Sequence, residues 1–213
     1  QAVRPAPLYR APSVHSLGVD LFSLGSGKLY GPRGAGALYA ANRAEIFGTA
    51  IGGGQERGLR AGTEPVALAA GFAAALELAQ KERAEEDKRL KKLRDEFAAA
   101  IASRIPNVVM NGDLKHALPH LLNISLPNIN SEYLVLALDR AGVALSTKAA
   151  CSEGNRNYSH VVLALGDAQK TAMPARARAE NTLRFSLGKA TTGKDMKQAL
   201  ASLIHTLGSL PAQ

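Results

Sequence analysis

Apolar and polar positions alternate over short runs at both ends of the chain and follow a helical period only in the middle. Leu68, Phe72 and Leu76, then Leu90, Leu93, Phe97 and Ile101, recur at three- to four-residue spacing. That period predicts one long helix over 65–104, interrupted at most once, with Thr63 as its cap and Pro65 in its first turn. Its centre is charged, and Glu85 with Arg89 and Asp87 with Lys91 are spaced to pair on a solvated face. Ahead of the helix, 19–24 and 37–40 read as two strands of a hairpin-like pair. Behind it, strands are expected at 108–110, 121–126, 143–146 and 182–187. Helices are expected over 131–140, capped by Ser131, over 160–166, and from a Thr192 cap to Leu207. The expectation is an α/β chain whose last half is a small α+β domain with a mostly antiparallel sheet.

Composition narrows the class without choosing a function. The chain has 213 residues, 46% hydrophobic and 21% charged, which is ordinary globular material. The most apolar stretch, 66–78, is too short to span a membrane and runs straight into Gln80-Lys81-Glu82-Arg83. The formal charge is +8, but the basic residues are scattered, Trp is absent, and no basic run interleaves with aromatics. Nucleic acid is therefore not expected as a partner, whereas small anions suit isolated arginines. One cysteine and no signal-peptide core point to a reducing, cytoplasmic compartment.

Four segments hold candidate chemistry. Gly25 to Gly36 contains six glycines and prolines in twelve residues, so Lys28 is expected on a tight loop outside any regular element. This is no phosphate loop: Phe22 stands where that motif needs its first glycine, and Leu29 where it needs Ser or Thr. A lysine framed by glycines can instead be held rigidly and form an imine with a carbonyl. Gly52 to Gly62 carries five glycines with Arg57 and Arg60, a flexible cationic loop suited to an anion. Cys151 lies among small and polar residues, with Lys148 and Arg156 close enough in sequence to favour the thiolate. Arg184 alternates with Leu183 and Phe185, and an arginine so placed on a strand is suited to a carboxylate. His116 and His120 are separated by Pro119, which removes the helical spacing a metal pair needs, and no metal is expected.

In this order, the segments around Lys28, Arg57–Thr63, Cys151 and Arg184 closely resemble those of the pyridoxal-phosphate-dependent cysteine desulfurases, of the class V aminotransferase-like family. The resemblance implies the carboxy-terminal part of a fold-type-I large domain over 1–64, a long connecting helix over 65–104, and a small domain over 105–213. It implies pyridoxal 5'-phosphate as cofactor, held by Lys28, which also moves protons. Ser26, Thr63 and Gln1 would contact the cofactor, Thr63 from the partner subunit of a homodimer and Gln1 at the cofactor hydroxyl. Arg184 would take the carboxylate of L-cysteine, and Cys151 would receive its sulfur as a persulfide for an acceptor such as an iron–sulfur scaffold protein. Where the family has Ser-Gly-His-Lys, this chain has Gly25-Ser26-Gly27-Lys28, so Gly27 replaces a phosphate-binding histidine. The same resemblance leaves room for a dimerising or acceptor-binding module without activity, or for a related enzyme such as a selenocysteine lyase.

Overall fold

The computed structural model describes residues 14–42, 44–148, 157–166 and 171–209. They divide into two compact units, Gln1–Glu86 and Asp87–Gln213.

In the first unit, a single helical turn, α1 (Val14–Leu17), precedes strand β1 (Leu21–Gly25). A 3-10 turn, Ser26–Leu29, leads towards β2 (Gly36–Ala40), which pairs antiparallel with β1. The expected hairpin-like pair is therefore present, with one addition: the lysine loop contains a short helical turn. The long helix α2 (Val66–Arg104) is continuous over 39 residues. Its first turn opens with Ala69 N–H donating to the Pro65 carbonyl at 3.0 Å, so Pro65 takes the capping position expected of Thr63. The amino-terminal part of α2 packs on the loop after β1, and glycines set the spacing. A methyl on Gly71 would lie 2.9 Å from Pro32 Cγ, and one on Gly31 would lie 2.8 Å from Ala75 Cβ. Phe22, Leu29, Phe72, Ala75 and Ala79 are buried in this unit.

The second unit is built on a three-stranded antiparallel sheet in the order β3 (Val109–Met110), β4 (Leu121–Ser125), β5 (Thr182–Ser186). Helices α3 (Ser131–Arg140), α4 (His160–Ala164), α5 (Ala175–Glu180) and α6 (Gly193–Gly208) complete it. One face of the sheet is apolar: Leu122 lies opposite Phe185 and Ile124 opposite Leu183, all buried. Phe97 of α2 meets Phe185 edge-on at 5.1 Å, a favoured aromatic geometry. The other face is polar. Asn123 Oδ1 accepts from Asn111 Nδ2 and from Thr182 Oγ1, each at 2.7 Å, and Ser125 Oγ donates to the Arg178 carbonyl at 2.8 Å. Arg178, fully buried on α5, donates to Asn111 Oδ1 and to the Gly166 carbonyl. Helix α5 is not anticipated by the sequence pattern, because its Ala-Arg-Ala-Arg-Ala-Glu sequence carries no apolar period.

Several local expectations change. Asn130, not Ser131, caps α3, its side chain accepting from the backbone of Glu132 and Tyr133. The expected strand over 143–146 reduces to one antiparallel bridge, Ser146 with Arg184. Thr192 does cap α6, in a reciprocal box with Asp195, and these hydrogen bonds hold the Asp195 carboxyl below its usual range. Along α2, charge does not mean solvent throughout. Arg89 donates to the carbonyls of Gly188, Lys189 and Thr191, and Arg94 is 1% exposed.

His120 lies buried beside β4, and burial first, then the nearby Arg94 charge, lowers its pKa from 6.5 to about 4. The folded chain keeps it neutral at pH values where the unfolded chain binds a proton. Stability should therefore be full above pH 6.5 and fall as pH drops towards 4, by on the order of 3 kcal/mol. Urea unfolding across that range should show the loss, and His120→Gln should flatten it.

Candidate active site

Lys28 sits exposed between two buried neighbours, Ser26 and Leu29. The turn beneath it is closed by hydrogen bonds. Ser26 N–H donates to the Ala35 carbonyl at 3.0 Å, and the Ser26 carbonyl accepts from the Tyr30 and Gly31 amides. Tyr30 adopts a left-handed φ of 60°, which turns the chain sharply after the lysine. With Leu29 as anchor, the Lys28 amine is presented on a backbone with little freedom. The Ser26 hydroxyl is fully buried and has no hydrogen-bond partner among the described residues. A methyl on Gly31 would come within 2.3 Å of it, so that position admits only glycine. In this arrangement Lys28 and Thr63 are open to a ligand, whereas Ser26 is enclosed.

The arginine loop is also a defined structure. Ala50 bridges to Arg60, and Gly62 N–H donates to Gln55 Oε1 at 3.2 Å. Between them, Glu56, Arg57 and Gly58 take successive left-handed φ values of 51°, 60° and 76°. Two non-glycine residues held this way mark a conformation fixed by its surroundings. Arg57 and Thr63 are exposed, while Arg60 folds back on the Ala61 carbonyl at 2.5 Å.

In the second unit, Arg184 lies on β5 opposite Asn123, on the polar face of the sheet. Its backbone pairs with Ser146: Arg184 N–H donates to the Ser146 carbonyl at 2.7 Å, and Ser146 N–H donates back at 3.3 Å. Its Nη1 donates to the Lys148 carbonyl at 3.4 Å, and its Nε is buried with no acceptor among the described residues. A guanidinium N–H left in that state costs about 1–3 kcal/mol, which an anionic ligand would offset. Thr147 Oγ1 donates to the Thr182 carbonyl at 2.8 Å and shares a hydrogen bond with Ser131 Oγ. Cys151 and Gln1 lie outside the described residues, as does Arg156. Lys148, expected to favour a thiolate at Cys151, has its ammonium engaged by Glu132 at the start of α3. Its charge is thus offset by a carboxylate that sequence spacing does not reveal, since 16 residues separate the two. Among the described residues no cluster of ligating side chains could hold a metal ion, and no helix is long and apolar enough to cross a membrane.

Lys28 and Thr63 therefore belong to the first unit, and Arg184 with the chain leading to Cys151 belongs to the second. A lysine presented on a closed turn and an arginine whose Nε lacks an acceptor among the described residues are groups suited to an aldehyde cofactor and a carboxylate substrate. Residues 8–199 match the family model described as Aminotransferase class-V, and the chain belongs to that family. Its likeness runs to named enzymes: "Cysteine desulfurase" of Rattus norvegicus is 38% identical over 207 residues, 96% of this chain and 43% of that protein. "Cysteine desulfurase IscS" of Clostridium botulinum (strain Kyoto / Type A2) is 40% identical over 192 residues, 89% of this chain and 47% of that protein. A solved structure named "NIFS-LIKE PROTEIN" superposes with a TM-score of 0.82 at 29% identity, covering 98% of this chain and 52% of that one. The resemblance to cysteine desulfurases is borne out, and the α/β fold is that of the NifS-like proteins. The chain spans less than half the length of these curated relatives.

Proposed function

We propose that the chain is the carboxy-terminal part of a cysteine desulfurase, working with pyridoxal 5'-phosphate on L-cysteine. The observation that carries the reading is the direct hydrogen bonding of Arg184 to the chain that leads into Cys151. Cys151 follows Lys148 by only three residues in the sequence.

Lys28 holds the cofactor, Thr63 contacts its phosphate across a homodimer, and Arg184 binds the substrate carboxylate through its two-pronged guanidinium. The cofactor, when bound, supplies an electron sink next to the substrate's α-carbon. Lys28 Nζ takes and returns protons at substrate carbon. Cys151 Sγ, as thiolate, forms a bond to the substrate sulfur while the carbon–sulfur bond of the substrate breaks. The carbon that loses sulfur gains a proton, giving alanine, and the enzyme keeps a persulfide for transfer to an acceptor protein. No external oxidant or reductant enters this balance. A reducing cytoplasmic compartment suits a thiol that must stay free between turnovers.

The test is to add pyridoxal phosphate and L-cysteine to the chain and follow alanine and protein-bound persulfide together. Equal release of the two is expected, and Cys151→Ala should lose at least about a hundredfold of the sulfur transfer. Persulfide-independent sulfide release at the parent rate in Cys151→Ala would favour a related lyase. A folded chain that binds no cofactor would favour a dimerising or acceptor-binding module.

A further inference from the structure

Lys148 holds a backbone conformation its residue type does not favour. Its φ is 55°, in the left-handed region where Cβ crowds the carbonyl of the same turn. Its side chain is only 14% exposed, and the ammonium donates to the Glu132 carboxylate on the first turn of α3. Its carbonyl accepts from Arg184 Nη1. Just upstream, Ser146 pairs with Arg184 and Thr147 Oγ1 is bound to the Thr182 carbonyl, so the chain enters this turn already fixed to β5. The turn therefore has two ties, one to a helix through the side chain and one to Arg184 through the backbone. Arg184 Nε meanwhile still lacks an acceptor among the described residues.

We infer that Lys148 is a positioning residue: its ion pair with Glu132 holds a left-handed turn whose carbonyl orients the Arg184 guanidinium for the substrate carboxylate. The inference rests on the assignment of Arg184 to that carboxylate. It separates cleanly from the role sequence proximity suggests, a charge acting on Cys151. An orienting turn needs the backbone conformation, whereas a thiolate-stabilising charge needs the ammonium.

Glycine distinguishes the two, because it adopts the left-handed conformation without a tether. In the full chain with pyridoxal phosphate, L-alanine is titrated while the Nε–H resonance of Arg184, assigned by its loss in Arg184→Lys, is followed by NMR. L-cysteine turnover is measured in parallel, and thermal unfolding checks that each variant is folded. Lys148→Met and Glu132→Gln should weaken L-alanine binding and raise KM by about five- to tenfold at unchanged kcat. Lys148→Gly should remain within about twofold of the parent in both. Lys148→Gly as impaired as Lys148→Met, a fall in kcat alone, or no change in any variant would overturn the inference. An Arg184 resonance that ignores L-alanine in the unsubstituted chain would instead remove the carboxylate assignment beneath it, and the inference with it.

Discussion

Lys28→Ala is expected to abolish the visible absorbance band that pyridoxal phosphate should develop with this chain, and to lower cysteine turnover by at least about a thousandfold. The size of the effect follows from the position of the residue. Lys28 is an exposed amine on a turn closed by backbone hydrogen bonds, so it is presented from a fixed backbone. Its removal should leave the fold intact, because the side chain contributes nothing to the core around Leu29 and Phe72. Lys28→Arg should be equally inactive: the guanidinium keeps the charge but stays protonated and cannot attack a carbonyl. Absorbance after gel filtration, with borohydride trapping and peptide mapping in the parent chain, checks the result. Retention of the trapped label at a different lysine would refute the assignment.

Arg94→Ala is expected to destabilise the second unit by about 3–5 kcal/mol. The guanidinium is 1% exposed and donates to the carbonyls of Leu114 and Leu118, each at 2.9 Å, and of Ala117 at 3.4 Å. It also bonds Asp95 Oδ1 through Nη2 at 2.7 Å and through Nε at 2.9 Å. Truncation strands these acceptors beside a cavity, which is why the expected loss exceeds that of one hydrogen bond. Arg94→Lys should recover little, since an ammonium is a point and cannot span carbonyls spread along 114–118. Urea unfolding followed by circular dichroism measures both. Because the Arg94 charge also disfavours protonation of His120, the acid-linked loss of stability should shrink in Arg94→Ala.

The elements most visible in the sequence are those whose burial is periodic. The long helix shows itself through Phe72, Leu90, Phe97 and Ile101, and β5 through the alternation of Leu183, Arg184 and Phe185. Helix α5 does not, because beside two alanines it buries Arg178, a residue that pattern reading assigns to solvent. Arg94 is hidden for the same reason: its partners are backbone carbonyls, which carry no residue-type signal. For the site, Lys28 and Arg184 are legible as residue types on a glycine-framed loop and a strand. The Glu132–Lys148 tie is not, since it joins positions on different elements, and the left-handed φ of a lysine leaves no mark in composition.

The polar face of the small sheet acts as a key for strand alignment. Asn123 Oδ1 takes one donor from the β3 side and one from β5. If β5 slipped by one residue against β4, Thr182 would leave that oxygen, and Leu183 would turn from the apolar core into the polar network. The same slip would swing Arg184 through the sheet, to the side where Phe97 packs. Hydrophobic burial alone penalises such a misalignment, and loss of the Thr182 hydrogen bond to Asn123 adds to the penalty. The direction in which Arg184 faces is thus decided by the residues that align β5 against β4.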